Sequence, residues 1–545
     1  MSISLSFLGG LGEIGRNCAV LEIGGRLAVI DCGLMFPEED MLGVDLVLPD
    51  FSWVVERAPD VDLVVLTHGH EDHVGALGYL LRELNSVPVY GTPLTIALAR
   101  SRVEELEVEA EFVALGDGEW VEQGPFRFML VPVSHSIPQG AAIAFDTPQG
   151  IILHSGDFKL DPTPIDGRST DLQALGALGR QGVRLLLSDS TNAEVPGFVP
   201  SESSLSGPLY EIISAAPGRV IAACFSSHLH RVQQIVDAGL DDGRQVALLG
   251  RSMLRNVQSA IELELLEIPE DRLIPIEEIG KHRPDEVLVV CTGSQGEPFS
   301  ALSLMANGDH RFVDVGENDT MLISATPIPG NETKVARVIN GLLRREARVF
   351  HGRNSQVHVS GHAAREELLT FINLVRPQAF VPIHGEYRHL KAHAELAESL
   401  HVADIVVCED GDRVVLEGSE TRVERRAVPG GFVYLDGETV GGVARSLLRD
   451  RRHLADEGVM VVTVGIDHQS GELVEGPEVY SHGIMDDPKF LHESVAKAIT
   501  KLIAGHKKGA TDPTAVRQRL YETTRRVVRE EASRRPVVLP VILEL

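Results

Sequence analysis

In the stretch Asp62-Leu-Val-Val-Leu-Thr-His-Gly-His-Glu-Asp-His-Val-Gly-Ala-Leu77, four side chains able to bind a metal, His68, His70, Asp72 and His73, fall within six residues. The apolar run just before them, 63–66, reads as a buried parallel strand. His68 and His70 alternate along an extended segment and can point the same way. His70 and His73 lie three apart, one turn of a helix starting at Glu71. A strand-to-helix turn of this kind can offer two ligands to one metal and two to another, and imidazole with carboxylate suits Zn²⁺ or Mn²⁺. Read as a capping turn or a surface cluster, the stretch leaves the packing of four such residues unexplained.

Three later apolar strands end in the same manner: 128–134 at His135, 150–156 at Asp157 and 379–383 at His384. In open α/β sheets, binding groups collect beyond the carboxyl ends of the strands, so these residues can converge with the first cluster and complete a two-metal set. Singly, each is a common turn residue. Ahead of them, 4–32 reads as a β-meander with a Gly24-Gly25 turn. Asp31, at the end of its third strand, either orients a ligand histidine or makes a turn before Gly33.

The 545 residues leave room for roughly three to four domains. With 43% hydrophobic and 24% charged residues, the composition is that of an ordinary soluble protein. The 50 Lys and Arg against 79 Asp and Glu give a formal charge of -29, which disfavours non-specific adhesion to nucleic acid. A polyanionic substrate would therefore need local basic patches and metals to capture it. The five cysteines are scattered, odd in number and without a C-x-x-C pair, as expected of free thiols in a reducing cytoplasm. The amino terminus has no basic leader and no apolar run approaches the ~20 residues of a membrane span, so the expected location is cytoplasmic, without a membrane partner.

Between 200 and 355 the pattern changes to short apolar strands, 219–225, 245–250, 287–291 and 320–325, with helical segments between them. They predict a small parallel sheet inserted into the metal domain, because His384 returns to the metal residues after it. The metal domain is then expected in two parts, 1–199 and 356–420. Residues 421–448 are polar and turn-rich, as a linker would be. A final α/β unit, 449–545, shows a strand at 459–466, helices near 488–504 and 514–534, a closing strand at 536–543, and no metal or nucleophile constellation.

The combination His68-x-His70-x-Asp72-His73, His135 and Gly156-Asp157-Phe-Lys159 resembles the metallo-β-lactamase superfamily, whose fold is an αββα sandwich. Phe225-Ser-Ser-His-Leu-His-Arg231, Ser324-Ala-Thr-Pro-Ile-Pro-Gly-Asn-Glu332, His358-Val-Ser-Gly-His362 and Pro382-Ile-His-Gly-Glu386 look like its β-CASP branch and, within that branch, the ribonuclease J family. The likeness covers nearly the whole chain. It implies an α/β protein in which 200–355 is a β-CASP domain closing over the site as a lid, with a small carboxy-terminal α/β domain associated with dimerisation. It implies Zn²⁺ at both metal positions of each subunit, or Mn²⁺ or Mg²⁺ in its place or in addition. The implied activity is 5′-to-3′ exoribonuclease action on 5′-monophosphorylated single-stranded RNA plus endonuclease action, in mRNA decay and in rRNA and other RNA maturation. The implied assemblies are a homodimer or homotetramer and an RNA-degradation complex.

On this resemblance His68, His70 and His135 hold one ion, Asp72, His73 and His384 hold the second, and Asp157 bridges them. Two such ions about 3.5–4 Å apart activate a water and neutralise phosphate oxygens. Ser226, Ser227 and His228 precede one probable helix, and His358, Val359, Ser360, Gly361 and His362 precede another. Helix amino termini with hydroxyl and imidazole donors bind phosphate, although serine also simply caps helices. By resemblance both segments bind substrate phosphates, including the 5′-terminal one, and His362 stands near the scissile phosphate as a catalytic residue alongside Asp72. Asp189 matches an acidic motif that orients metal ligands. The Gly-rich 291–297 lacks the Lys of a nucleotide loop. Arg231 and 250–253 either meet RNA backbone or lie solvated. Rival readings are a strictly endonucleolytic or DNA-processing β-CASP nuclease, a lactam or thioester hydrolase, and an RNA-binding scaffold.

Overall fold

The computed structural model describes residues 2–545 apart from 85, 298, 329, 438, 442, 468–471 and 505–512, so Pro329 of the motif 324–332 lies outside the described residues. The chain falls into two units, Met1–Phe36 with Leu46–Val433, and Pro37–Asp45 with Tyr434–Leu545.

In the first unit, side chains that alternate along each strand build a sandwich of four layers. An eight-stranded sheet runs Glu420–Glu424, Arg413–Glu417, Ile3–Gly9, Cys18–Ile23, Arg26–Ile30, Val61–Val65, Val89–Gly91, Phe112–Ala114. It faces a seven-stranded sheet ordered Asp404–Ile405, Ala379–Ile383, Val183–Asp189, Gly150–His154, Ala141–Thr147, Phe126–Pro132, Val121–Gln123. Leu21, Ile30 and Val65 point inward to pack with Phe128, Ile143, Leu187 and Val381. Their neighbours Val20, Val29 and Val64 point outward, where Leu77 and Leu80 of helix Leu77–Glu83 cover them. Leu186 and Phe380 point to the opposite exterior, under Leu368 and Phe371 of helix Arg365–Val375. In each sheet the central strands are parallel, so Asp31 and His68 at one edge, and Asp157, Asp189 and His384 at the other, all emerge at carboxyl ends.

The insertion holds a five-stranded parallel sheet, Gln245–Leu249, Val287–Cys291, Val220–Ala223, Thr320–Ile323, Arg348–His351. The last of these was not among the four expected strands; only Val349 of its four residues is fully apolar and buried, and the run is too short to read. At the neck of the insertion one buried carboxylate, Glu367, accepts hydrogen bonds from the backbone N–H groups of Leu160 (2.8 Å), Val199 (2.8 Å) and Ala364 (2.9 Å).

The expectation of a linker over 421–448 is corrected. Glu420–Glu424 pairs with Arg413–Glu417 at the sheet edge, Phe432–Asp436 pairs with Thr439–Val440, and helix Arg445–Glu457 begins inside the stretch. The charged residues Arg422 and Glu424 alternate with Thr421 and Val423, and Val423 packs on the inter-sheet core. An edge strand with one wet face has the composition of a loop.

In the second unit a sheet of three strands, Leu473–His482, Val459–Ile466 and Val537–Glu544, buries Met460, Val462 and Val464 against Val495 and Ile499 of helix Lys489–Ala504 and Leu520 and Val528 of helix Pro513–Ala532. On the other face Tyr480 and Leu539 flank Val461 and are 60% and 49% exposed. Among the described residues no helix is long and apolar enough to cross a membrane.

Candidate metal centre

The strand Val61–Val65 runs out into Thr67 and His68, and the chain turns at Gly69 and His70 into the short helix Glu71–Val74. The loop after Asp31 clasps that turn: Cys32 N–H donates to the His73 carbonyl (2.7 Å) and Leu34 N–H to the Glu71 carbonyl (3.0 Å). Gly33 is required there, because a Cβ would stand 1.6 Å from the Asp72 carbonyl oxygen.

This clasp, together with the strand ends of the second sheet, draws seven predicted ligands into two groups. Ligand atoms of His68, His70, His135 and Asp157 lie within 4.8 Å of one another, as do those of Asp72, His73, Asp157 and His384. In the first group His70 Nδ1 is 3.0 Å from His68 Nε2 and 3.2 Å from His135 Nε2. In the second, Asp157 Oδ2 is 3.2 Å from His73 Nε2 and 3.3 Å from His384 Nε2. Ligands held at zinc-like distances in a tetrahedron stand about 3.3 Å apart, so the spacing suits one divalent ion in each group with Asp157 common to both.

The surroundings also suit a cation. Behind each of four rings a fixed acceptor faces Nδ1: Thr67 Oγ1 for His68 (3.1 Å), Asp31 Oδ2 for His73 (2.8 Å), the Gly361 carbonyl for His135 (2.8 Å) and Asn17 Oδ1 for His384 (2.9 Å). A proton kept at Nδ1 leaves the Nε2 lone pair turned into the centre. Burial drives His68 and His135 well below the ordinary imidazole range and His70 to about 4, so all three rings are neutral ligands at neutral pH. Burial pulls His73 the same way, but Asp157, Asp72 and Asp31 overrule it and hold it well above that range. Burial pushes Asp157 upward, but His384 and His73 hold it well below the carboxylate range. Asp31 and His384 both adopt left-handed backbone, at φ 57° and 52°, a conformation uncommon outside glycine and found where function constrains the chain.

Beside the second group, His362 Nδ1 is 2.8 Å from Asp189 Oδ2 and 4.0 Å from Asp157 Oδ2. Burial lowers this imidazole, but Asp189 and then Asp157 push it up to about 9. Gly361 is pressed against His135, where a Cβ would meet the ring at 2.9 Å. Asn192 Nδ2 donates to Ser360 Oγ and to the His362 carbonyl, both at 2.8 Å.

The segments expected to bind phosphate take unequal positions. Ser226, Ser227, His358 and Ser360 are half-buried, with Ser226 Oγ accepting from Asn256 Nδ2 at 3.3 Å. The Val359 side chain packs in the insertion core, leaving only its backbone for a ligand. His228 is buried and caps helix Leu229–Asp241, its Nδ1 accepting the Arg231 N–H at 3.3 Å. Its ring centroid stands 6.4 Å from that of His358. Among the described residues, no group hydrogen-bonds the buried His228 Nε2 or His358 Nδ1. Arg231, for which the sequence left RNA backbone contact or a solvated surface position open, has no exposed surface and fits neither; its charge is met inside the fold. In the Gly-rich 291–297, Gln295 ties the loop to its neighbour through the Thr326 carbonyl (3.0 Å) and Ile328 N–H (2.7 Å). Asn17, Thr67 and Asn192 escaped the sequence reading, being short polar residues in loops; the partners of Asn17 and Asn192 are distant in the chain, and Thr67 serves the adjacent His68 and the distant Asp31.

Comparison with known proteins agrees along the whole length. Residues 11–193 match the model of the metallo-beta-lactamase superfamily, 217–342 that of the ribonuclease J beta-CASP domain, 350–407 that of the Zn-dependent metallo-hydrolase RNA specificity domain, and 446–545 that of the ribonuclease J C-terminal domain. Ribonuclease J of Mycobacterium tuberculosis (strain ATCC 25618 / H37Rv) is 42% identical over 545 residues, covering 100% of this chain and 97% of the relative. Ribonuclease J2 of Bacillus subtilis (strain 168) is 37% identical over 562 residues, covering 100% and 99%. Ribonuclease J of Thermus thermophilus is 39% identical over 549 residues, covering 98% and 94%. A crystal structure of a protein of unknown function from Enterococcus faecalis V583 shares the fold, with a TM-score of 0.55 at 17% identity over 76% of this chain and 100% of that one. A metallo-β-lactamase sandwich, a β-CASP insertion and the C-terminal module thus occur together in the order that the motifs imply, and the chain belongs to the ribonuclease J family as a metal-dependent ribonuclease.

Proposed function

We propose that this ribonuclease removes nucleotides 5′ to 3′ from 5′-monophosphorylated single-stranded RNA, also cuts internally, and serves mRNA decay and RNA maturation in the cytoplasm. The observation that carries the reading is a pair of imidazole nitrogens that make no hydrogen bond among the described residues: His358 Nδ1, and His228 Nε2, which has the Glu202 carboxylate at 3.4 Å. A buried donor left unpaired costs about 1–3 kcal/mol, a cost removed when a phosphate oxygen meets it. Burial holds His358 at about 3, so the ring is neutral and presents one N–H as donor without a competing charge.

Zn²⁺ fits the donor set of both groups, with Mn²⁺ or Mg²⁺ in its place or in addition. When bound, such ions supply charge neutralisation at the phosphate and a water acidic enough to attack at neutral pH. The protein's own part is orientation and proton supply. Asp72, 29% exposed at its side chain, is a ligand of the second group that reaches solvent, and it shares the catalytic part with His362. His362, its Nδ1 fixed by Asp189, presents the other ring nitrogen to pass a proton to the departing oxygen. Ser226, Ser227, Ser360 and the backbone of 359–361 complete the phosphate socket with His228 and His358. The apolar outer face of the C-terminal sheet, with Tyr480 and Leu539, is the contact through which two copies pair as a homodimer or half of a homotetramer. The same surface class would receive partners in an RNA-degradation complex.

Metal analysis of the purified protein, combined with digestion of one RNA bearing a 5′-monophosphate or a 5′-triphosphate, tests the reading. Expected are bound zinc and release of mononucleotides from the 5′ end, slowed at least about tenfold by the triphosphate. Equal rates on the two ends would refute the terminal-phosphate socket.

A further inference from the structure

The guanidinium of Arg231 is wholly buried and joins parts of the chain that flank the phosphate socket. Its Nη2 donates to Glu202 Oε1, its Nη1 to Ser324 Oγ and, at 2.7 Å, to the Val357 carbonyl, and its Nε to Gln234 Oε1 at 3.1 Å. Ser324 Oγ donates to the same Val357 carbonyl at 2.6 Å, one residue before His358. Glu202 stands 3.4 Å from His228 Nε2 and 3.7 Å from the buried Lys159 Nζ, two residues after Asp157. The Glu202 backbone is fixed in turn, its N–H donating to Asp161 Oδ2 at 3.0 Å. One side chain therefore grips the carbonyl beside His358 and, through a single carboxylate, the surroundings of His228 and the strand end that bears Asp157.

The geometry points to Arg231, acting with Glu202, as the positioning residue of the 5′-phosphate socket: it sets where the His228 and His358 rings stand relative to Asp157, and so how far a held terminal phosphate lies from the bond that is cut. The inference rests on the socket reading of the preceding section. An arginine is needed because a planar fork serves Glu202, Ser324 and Val357 at once, whereas a lysine ammonium is a single nitrogen on a flexible stem. Burial excludes direct contact with RNA, so any effect of Arg231 on substrate preference passes through the residues it holds.

The test uses the full-length, cation-loaded protein on RNA of one sequence carrying a 5′-monophosphate or a 5′-hydroxyl. Arg231→Lys keeps the charge and removes the fork. Expected is a KM for the monophosphorylated RNA raised about tenfold, with kcat and the KM for the hydroxyl end changed less than about twofold. Ser324→Ala removes only the hydroxyl that shares the Val357 carbonyl, and a rise of about threefold in the monophosphate KM alone is expected. Should Arg231→Lys fail to fold, Ser324→Ala decides. An equal KM rise for both ends, a fall in kcat alone, or an unchanged monophosphate preference in Ser324→Ala overturns the positioning role. A wild-type protein indifferent to its 5′ end is a separate result, which overturns the socket itself and with it any role in placing it.

Discussion

Replacing Asp31 by Asn would test whether proton placement behind the ligand rings determines how firmly the centre holds a cation. Asp31 accepts from Thr67 N–H at 2.7 Å, from Thr67 Oγ1 at 2.8 Å and from His73 Nδ1 at 2.8 Å. An asparagine keeps the size of the side chain and tolerates the left-handed backbone at φ 57°, so neither packing nor strain changes. It does turn one acceptor into an NH₂ group. If Oδ1 continues to accept from Thr67 N–H, the new NH₂ faces the His73 Nδ1–H. Turned over, it faces the Thr67 N–H instead. Either a buried donor opposes a donor, at about 1–3 kcal/mol, or His73 moves its proton to Nε2 and loses the lone pair it turns toward the centre. Both routes predict a loss of about 10–100-fold in cation affinity, or about 1.4–2.7 kcal/mol. Competition against a fluorescent chelator at neutral pH measures the affinity, and the thermal midpoint of the stripped protein monitors the fold. Wild-type affinity in a correctly folded Asp31→Asn protein would refute the tautomer argument.

Two further outcomes follow from the same geometry. Gly361→Ala places a Cβ 2.9 Å from the His135 ring and from Ser136 Cβ; turnover should fall by at least about tenfold through displacement of His135 or of the 358–362 segment, and undiminished turnover would show that the segment can shift without cost. Asp166, whose carboxylate faces His230 Nε2 at 3.1 Å, is pushed up by burial but held below the ordinary range by His230 and Arg168. A carboxylate depressed in the folded state contributes its full stability above the unfolded value of about 4 and loses it as pH falls through the folded one. Asp166→Asn should therefore cost about 1 kcal/mol near pH 7, read from denaturant unfolding, and progressively less toward about pH 3; a cost that grew on acidification would reverse the sign.

What the sequence disclosed about the centre depended on how densely the donors were packed along the chain. His68, His70, Asp72 and His73 are legible because their spacing is itself the geometry: one strand end, one turn and the first turn of a helix. His135, Asp157 and His384 are legible as polar residues ending apolar strands: parallel pairing brings the ends before Asp157 and His384 to one edge, and two successive antiparallel pairs turn the strand before His135 the same way. Asn17 holds His384 from 367 positions away, and no local pattern marks an asparagine for that duty. Arg231 misleads in the opposite sense: a charge in a helix reads as wet surface until a carboxylate 29 positions earlier is found against it. In the C-terminal unit the strand Leu473–His482 carries Gly476-Pro477, which reads as a turn, and its largely wet side chains hide the pairing with Val459–Ile466. Helix Arg445–Glu457 is missed for a related reason, its few leucines being scattered among charged residues and two of them, Leu447 and Leu454, exposed.

The carboxylate of Glu367 gathers the backbone where the inserted sheet departs and where it comes home. Entrance and exit of some 160 residues are thus fastened together by Glu367, with the Arg365 N–H on the Val195 carbonyl (2.9 Å) beside it, while the cation ligands themselves lie outside the loop so tied off. Such an arrangement lets the inserted sheet vary without disturbing the ligands outside it. The sheet of the insertion can be lengthened or remodelled over evolution without moving a cation ligand, provided the returning segment 358–362, which carries His362 and the Gly361 carbonyl behind His135, stays with the metal domain.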